Sequence, residues 1–225
     1  MTDDLFQLNG KIALITGASG GLGCHFAKLL AQRGATVILT ARRTALIEEA
    51  AEQIRQNGGR AHSFTMDVTD ERAVNDTFSA VESRVGTADI VINNSGIVIG
   101  ESALKIDQSE WDRVIDTNLR GVWTVAREAG KRLVAAQRGG SLINVASILG
   151  LRVAKGVSSY AISKAGVIQM TRALSLEWAR YQIRVNAIAP GFILTDFNRD
   201  YFDSGAGDET IAKIPQRRVG VPSDL

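Results

Sequence analysis

The sequence predicts an α/β fold: a doubly wound parallel sheet of the Rossmann type, with helices on both faces in three α/β/α layers. Three observations predict it. Short apolar runs alternate with longer amphipathic ones almost from the start of the chain. The apolar runs lack a polar face, as strands covered on both sides do. A glycine-rich turn lies directly between the first apolar run and the first helical one.

Taken in order, Lys11–Thr16 (KIALIT) reads as the first strand, and Leu22–Arg33 has helical spacing that stops at Gly34. Thr36–Thr40 is a second strand, and Thr44–Asn57 is an amphipathic helix closed by Gly58 and Gly59. His62–Val68 and Asp70–Val85 form the next strand and helix, and Asp89–Asn93 the fourth strand. Gln108–Gln137 reads as one long helix or two joined. Ser141–Ser147 is the fifth strand, Ser158–Tyr181 a long helix, and Arg184–Ala189 the sixth strand. No linker or internal repeat divides the chain, so residues 1–225 read as a single domain. After Thr195 the rhythm fades. Residues 195–215, with Phe197, Tyr201, Phe202, Gly205, Gly207 and Pro215, read as a substrate lid carrying a short helix.

Composition narrows the function. The 225 residues are 45% hydrophobic and 22% charged, enough to bury one sizeable core. A net charge of +2 argues for neither nucleic acid nor an anionic membrane surface. No apolar run approaches the roughly 20 residues that cross a bilayer. The first residues, Met-Thr-Asp-Asp-Leu-Phe-Gln, are acidic where a secretory signal is basic, so a cytoplasmic protein is expected. One cysteine, Cys24, and two histidines, His25 and His62, exclude a disulfide framework and argue against a metal site.

The turn Thr16-Gly17-Ala18-Ser19-Gly20-Gly21-Leu22-Gly23 can bring backbone N–H groups and a helix N-terminus against a pyrophosphate. No Lys-Ser or Lys-Thr follows the glycines, so it is not a P-loop. It matches G-x-S-x-G formally, but no acid-then-histidine pair follows Ser19 to complete a hydrolase triad. After Thr40, at the end of strand two, come Ala41, Arg42 and Arg43, with Ala41 at the position where an acidic residue is expected. An acidic residue there would bind a ribose 2′-hydroxyl. An arginine clamps a 2′-phosphate instead, which favours NADP(H) and leaves NAD(H) open.

Tyr160 and Lys164 stand one helical turn apart on a shared face. A nearby ammonium and the positive ring of an oxidised nicotinamide would favour the phenolate, bringing Tyr160 towards the range of a general acid–base. Ser147 closes strand five at the carboxyl edge, where open α/β sheets bind ligands, and its hydroxyl could hold a substrate oxygen.

On these residues the chain resembles the short-chain dehydrogenase/reductase family from Lys11 onward. The resemblance rests on the glycine turn, Asn93-Asn94-Ser95-Gly96 after strand four, Asn118, Ser147 and Tyr160-Ala161-Ile162-Ser163-Lys164. It implies hydride transfer between nicotinamide C4 and a secondary alcohol or ketone. Tyr160 would be the acid–base, Ser147 would orient the oxygen, and Lys164 would lower the tyrosine pKa. Asn118 would bend its helix and hold a water of the proton relay. The resemblance further implies cofactor contacts at Gly17, Ser19, Gly21, Leu22, Gly23, Arg42, the adenine-binding pair Asp67 and Val68, Asn94, Gly96, Tyr160 and Lys164. Pro190, Gly191, Ile193 and Thr195 would lie against the nicotinamide carboxamide.

Ser95 stands where the family usually has alanine, and the sequence stops at Leu225, before the family's last helix and seventh strand. The sixth strand is therefore expected to expose an edge. The resemblance also implies a homotetramer or homodimer built on the two long helices. Trp123, Val125, Met170 and Trp178 are either its anchors or intrachain core. The substrate expected is a small alcohol or ketone. The rival function is a regulatory dinucleotide-binding protein without catalysis, against which the full set Asn118, Ser147, Tyr160 and Lys164 argues.

Overall fold

The computed structural model describes residues 6–196, 198–205 and 207–225. The acidic first residues and Phe197 of the expected lid lie outside this set. Strands β1 (Ile12–Thr16), β2 (Thr36–Ala41), β3 (Arg60–Thr65), β4 (Ile90–Asn93), β5 (Gly140–Val145) and β6 (Ile183–Ile188) form one sheet in the order β3-β2-β1-β4-β5-β6. Every pairing is parallel. Helices α1 (Gly21–Gln32), α2 (Thr44–Gln56), α3 (Glu71–Arg84), α4 (Gln108–Ile115), α5 (Gly121–Ala135) and α6 (Ser158–Trp178) make the crossovers.

Alternate strand residues face opposite layers, and both layers are apolar. Ala13, Ile15, Val37 and Leu39 pack with Phe26, Ala27, Ile47 and Ile54 beneath α1 and α2. Leu14, Ile38, Val91 and Leu142 pack with Phe78, Val125, Leu133 and Leu174 beneath α3, α5 and α6. Each fully buried aliphatic side chain contributes about 1.5–3 kcal/mol relative to exposure. This two-sided burial explains why the strands read as unbroken apolar runs. Asp70 caps α3 by accepting from Arg72 N and Ala73 N, and Asp107 caps α4 by accepting from Glu110 N.

The structure moves some bounds of the sequence reading and chooses between alternatives it left open. Strand three starts two residues earlier than expected, because Thr36↔Arg60 pairing to β2 sets its register. Met66 and Val68, which made the predicted strand look longer, are buried beyond its end. The 108–137 segment is two helices joined by a π-helical turn, Asp116–Arg120, which contains Asn118. Val125 is intrachain core, and Met170 and Trp178 are partly buried against that core. Trp123 alone of the four proposed anchors is substantially exposed. The lid region carries two short helices, α7 (Arg199–Asp203) and α8 (Asp208–Lys213), instead of one.

Among the described residues β6 forms one edge of the sheet, as expected, with Arg184 and Asn186 exposed. The segment beyond it is tied back by Gly220, whose N–H donates to Phe192 O at 2.8 Å and whose carbonyl accepts from Leu194 N at 2.8 Å. No helix among the described residues is long and apolar enough to cross a membrane.

At the opposite edge of the strands, Asp89 is 6% exposed and ties three strands together. Its carboxylate accepts from Ile12 N at 2.9 Å and from the Arg138 guanidinium. Its backbone carbonyl accepts from Ser141 N. Replacing Asp89 by Ala removes the acceptor of a partly buried N–H and the partner of the Arg138 guanidinium, and should cost about 1–3 kcal/mol in urea unfolding. Because Asp89 lies at the end of the strands away from the candidate site, ligand affinity of the folded fraction should be unchanged.

Candidate active site

All six strands are parallel, so all their carboxyl ends meet at one edge. The candidate residues follow those ends: Gly17 after β1, Arg42 after β2, Asp67 after β3, Asn94 and Gly96 after β4, Ser147 after β5, and Pro190 and Gly191 after β6. The chain reverses direction across the sheet between β1 and β4, the place where open α/β sheets form a crevice.

The glycine turn is a cradle. Gly17 and Gly21 have φ of +64° and +50°, the left-handed region that side chains disfavour. A Cβ on Gly23 would stand 2.4 Å from Gly17 O. Gly20, the N-cap of α1, offers no side-chain cap, so the first N–H groups of that helix stay available to an anion. Leu22 packs inward against the core beneath α1. Thr195 stands over the turn, facing Gly21, and its N–H donates to Asn198 Oδ1 at 3.0 Å. Asn198 also donates to Ile193 O, which closes the 193–198 loop.

Asn94 acts on the backbone. Its Nδ2 donates to Thr16 O at 3.1 Å and to Gly17 O at 3.2 Å. The hydroxyl of buried Thr16 accepts from Asn94 N and Ser95 N, both at 3.0 Å. The loops after β1 and β4 are thereby locked together, and Ser95 takes part through its backbone only.

At the end of β2, Arg42 lies 3.9 Å from Asp67, both side chains well exposed. Arg43 is nearer the turn: its Nη2 and Nε donate to Ser19 Oγ at 2.8 and 3.3 Å. Val68 is buried and packs on Gly121, where a Cβ would meet it at 2.7 Å.

The remaining candidates converge around the start of α6. Strand β5 stops at Val145, so Ser147 is not a strand residue. It caps the short 3-10 turn Ile148–Gly150, accepting from Leu149 N at 3.1 Å. Pro190 O accepts from Ile148 N at 2.8 Å. Gly150 rests on the α6 backbone, and a Cβ there would stand 2.8 Å from the Lys164 carbonyl carbon. Lys164 is 3% exposed and its ammonium donates to Val145 O at 2.7 Å. Burial lowers its pKa to about 8. Gly96 lies beside both Lys164 and Asn118.

Asn118 is fully buried, and the protein engages both ends of its amide. Oδ1 accepts from Ile97 N at 2.8 Å, and Nδ2 donates to Ile97 O at 2.9 Å and Ser163 Oγ at 3.1 Å. Ser163 in turn donates to Tyr160 O at 2.7 Å. Tyr160 differs from expectation. Burial raises the phenol pKa, and the nearby Ser147 hydroxyl opposes that rise without cancelling it. Lys164, with its ammonium 5.6 Å from the ring centre, is not the dominant influence on the phenol.

Thr16, Arg43 and Ser163 lie inside motifs read from the sequence but had no role of their own there, and Gly150 and Asn198 had not been singled out. Arg43 and Ser163 each adjoin a residue that was, and only contact geometry separates a neighbour from a participant.

A glycine cradle at the switch point of a parallel sheet, opposite a buried lysine and two hydroxyls, defines a dinucleotide-site architecture. Comparison with known proteins agrees. A model of the short chain dehydrogenase family matches residues 11–205. The 2-dehydro-3-deoxy-D-gluconate 5-dehydrogenase of Escherichia coli K12 is 35% identical, covering 98% of this chain and 87% of that protein. The 3-oxoacyl-[acyl-carrier-protein] reductase of Thermotoga maritima is 35% identical, covering 97% and 88%. A gluconate 5-dehydrogenase from Burkholderia cenocepacia, solved with NADP and tartrate, superposes with a TM-score of 0.94 at 31% identity, covering 98% and 87%. The chain belongs to the short chain dehydrogenase family.

The depressed Lys164 pKa carries a stability signature. At pH 7 both folded and unfolded chains hold the proton, and the folded one bears the cost of burying it. Between the folded value of about 8 and the ordinary 10.5 only the unfolded chain stays protonated, so stability rises with pH. Wild type should gain up to about 3 kcal/mol on Lys164→Met across that window, measured by urea unfolding at pH 7 to 10. Parallel curves would mean that the lysine is hydrated.

Proposed function

We propose that the protein is an NADP(H)-dependent oxidoreductase that interconverts a secondary alcohol and a ketone. The observation that carries this reading is the convergence of Ser147, Tyr160 and buried Lys164 at the sheet edge that bears the glycine cradle. The residues present fit a dinucleotide: the turn through Gly17, Ser19, Gly21, Leu22 and Gly23 takes left-handed backbone at Gly17 and Gly21, packs too closely at Gly23 to admit a Cβ, and leads into the uncapped N-terminus of α1. Gly17–Gly23 would hold the pyrophosphate, Asp67 and Val68 the adenine side, Asn94 and Gly96 the ribose side through their loop, and Pro190, Gly191, Ile193 and Thr195 the carboxamide. Arg42 and Arg43 would hold a 2′-phosphate. When bound, the nicotinamide supplies or accepts the hydride.

The chain's own groups handle the proton. In reduction, Tyr160 Oη gives its proton to the carbonyl oxygen, and in oxidation it takes one from the alcohol. Ser147 Oγ donates a hydrogen bond to that same oxygen and holds it beside the phenol. The Lys164 ammonium stands behind Tyr160, and the Asn118 backbone carries the relay towards solvent. The acid form of Tyr160 is favoured by burial, and the bound cation of an oxidised cofactor would oppose that preference.

A cavity of about 510 Å³ lies next to the Ser147 and Tyr160 site without being lined by either, with Ile148, Phe192, Ile193 and Ile214 as apolar walls and Lys213, Gln216, Arg218 and Asp224 as its polar groups. That mixture suits a small polar ketone or an acyl chain, and relatives named for sugar-acid and oxoacyl chemistry support both. An oligomer is supported by Trp123, 40% exposed, and by an open groove between α5 and α6 lined by Gly130, Val134, Trp178 and Tyr181.

The test is a screen of sugar acids, 3-oxoacyl thioesters and simple ketones, followed by nicotinamide absorbance. Tyr160→Phe should lower turnover by about 10²–10⁴ while NADPH affinity holds. Normal turnover in that variant defeats the mechanism. Arg43→Ala should weaken NADPH about tenfold or more and NADH hardly at all, as loss of a charge-assisted contact requires. Equal loss for both cofactors removes the 2′-phosphate assignment.

A further inference from the structure

Lys164 reaches its acceptor with a flexible four-carbon stem, and only the relation between α6 and β5 puts Val145 O within that reach. One residue before Val145, a buried polar chain crosses the same interface. Asn93 and Asn144 are register partners on β4 and β5, and Asn93 Nδ2 donates to Asn144 Oδ1 at 2.9 Å. Asn144 Nδ2 donates to Thr171 Oγ1 at 2.9 Å, and that hydroxyl donates to Val167 O at 2.7 Å. Asn93 and Asn144 are at most 1% exposed and Thr171 is 7% exposed. The chain of donors runs one way, from β4 through β5 into α6. An apolar trio could fill this space without the desolvation that three buried polar groups require, and such groups are best attested as devices that set register.

We infer that Asn144 and Thr171 are positioning residues that hold α6 on β5 so that the Lys164 ammonium stays on Val145 O. The geometry is a two-point attachment. Residues 164 and 171 lie on one face of α6, about 10 Å apart along its axis. Their partners, Val145 O and the Asn144 amide, are adjacent on β5. A helix held at both points can neither slide nor roll, whereas one held by the lysine alone can do both. Val167, between them on the same face, is fully buried against Ala146 and Val122, so the space between the two attachments is packed. Asn118, Gly96 and the Tyr160 ring lie around the ammonium, so a displaced lysine would disturb the neighbours of the phenol as well. The catalytic meaning of this placement rests on the reading of Lys164 proposed above; the placement itself does not.

The test separates the two. In full-length protein with isotopically labelled lysine side chains, the Lys164 ammonium is titrated by NMR in wild type, Thr171→Val and Thr171→Ser. Turnover is measured alongside on whichever substrate the screen yields. Thr171→Val should move the Lys164 titration up towards an ordinary lysine as the ammonium leaves Val145 O, and Thr171→Ser, which keeps the hydroxyl, should restore it. Turnover should fall about tenfold in the valine variant with KM nearly unchanged, and recover in the serine variant. A wild-type titration in Thr171→Val overturns the inference, whatever the activity. A serine variant as displaced as the valine one also overturns it, since the hydroxyl would then not be the cause. A shifted titration with unchanged turnover upholds the positioning role and counts against Lys164 as a catalytic group. If Thr171→Val does not fold, Thr171→Ala removes the same hydroxyl without adding a methyl and is read in the same way.

Discussion

Six strands paired in parallel must send every connection back over a face of the sheet, and so present all their carboxyl ends at one edge. The placement of the site follows from that constraint. Residues as distant in sequence as Gly17, Asn94, Ser147 and Gly191 each leave a strand in the same direction and meet there. The same constraint covers both faces with helices and makes the strands apolar throughout. It also sets the crevice between β1 and β4, where the Thr16 hydroxyl and the Asn94 amide bind the two loops into one rigid rim.

Within that edge, burial sets the electrostatics. The core around α6 encloses a lysine and most of a tyrosine, and burial pushes both towards their neutral forms. The protein's own groups therefore favour a protonated phenol beside an ammonium that gives up its proton unusually easily. In the proposed reaction this suits proton donation to a carbonyl. The reverse direction depends on positive charge brought by the oxidised cofactor. The lysine pairing anticipated from sequence takes helical spacing for electrostatic contact, but in the folded chain desolvation outweighs it.

Much of this was legible beforehand. The order of strands and helices was readable because two-sided burial writes apolar runs of strand length, whereas the caps at Asp70 and Asp107 came to light only in the structure. The candidate residues were readable as a spaced set after strand ends. Less visible were features that depend on register. Strand three was displaced because Met66 and Val68 are apolar for reasons other than the sheet. Ser147 was placed on a strand, whereas it caps a turn held by Pro190. Arg43 and Ser163 were passed over because their roles come from Ser19 and Asn118, partners 24 and 45 residues away.

The sequence by itself determined the class of fold, the edge where chemistry gathers and the residue types available to it, because periodicity and glycine turns are local properties of the chain. Only the tertiary structure decided which of those groups bear on one another. It turned Asn118 into a clamp on Ile97, gave the Ser19 contact to Arg43, and set the Lys164 ammonium on Val145 with Thr171 and Asn144 alongside. Hydrogen bonds and desolvation act over a few ångströms of space, and those distances exist only once α6 has settled against β5.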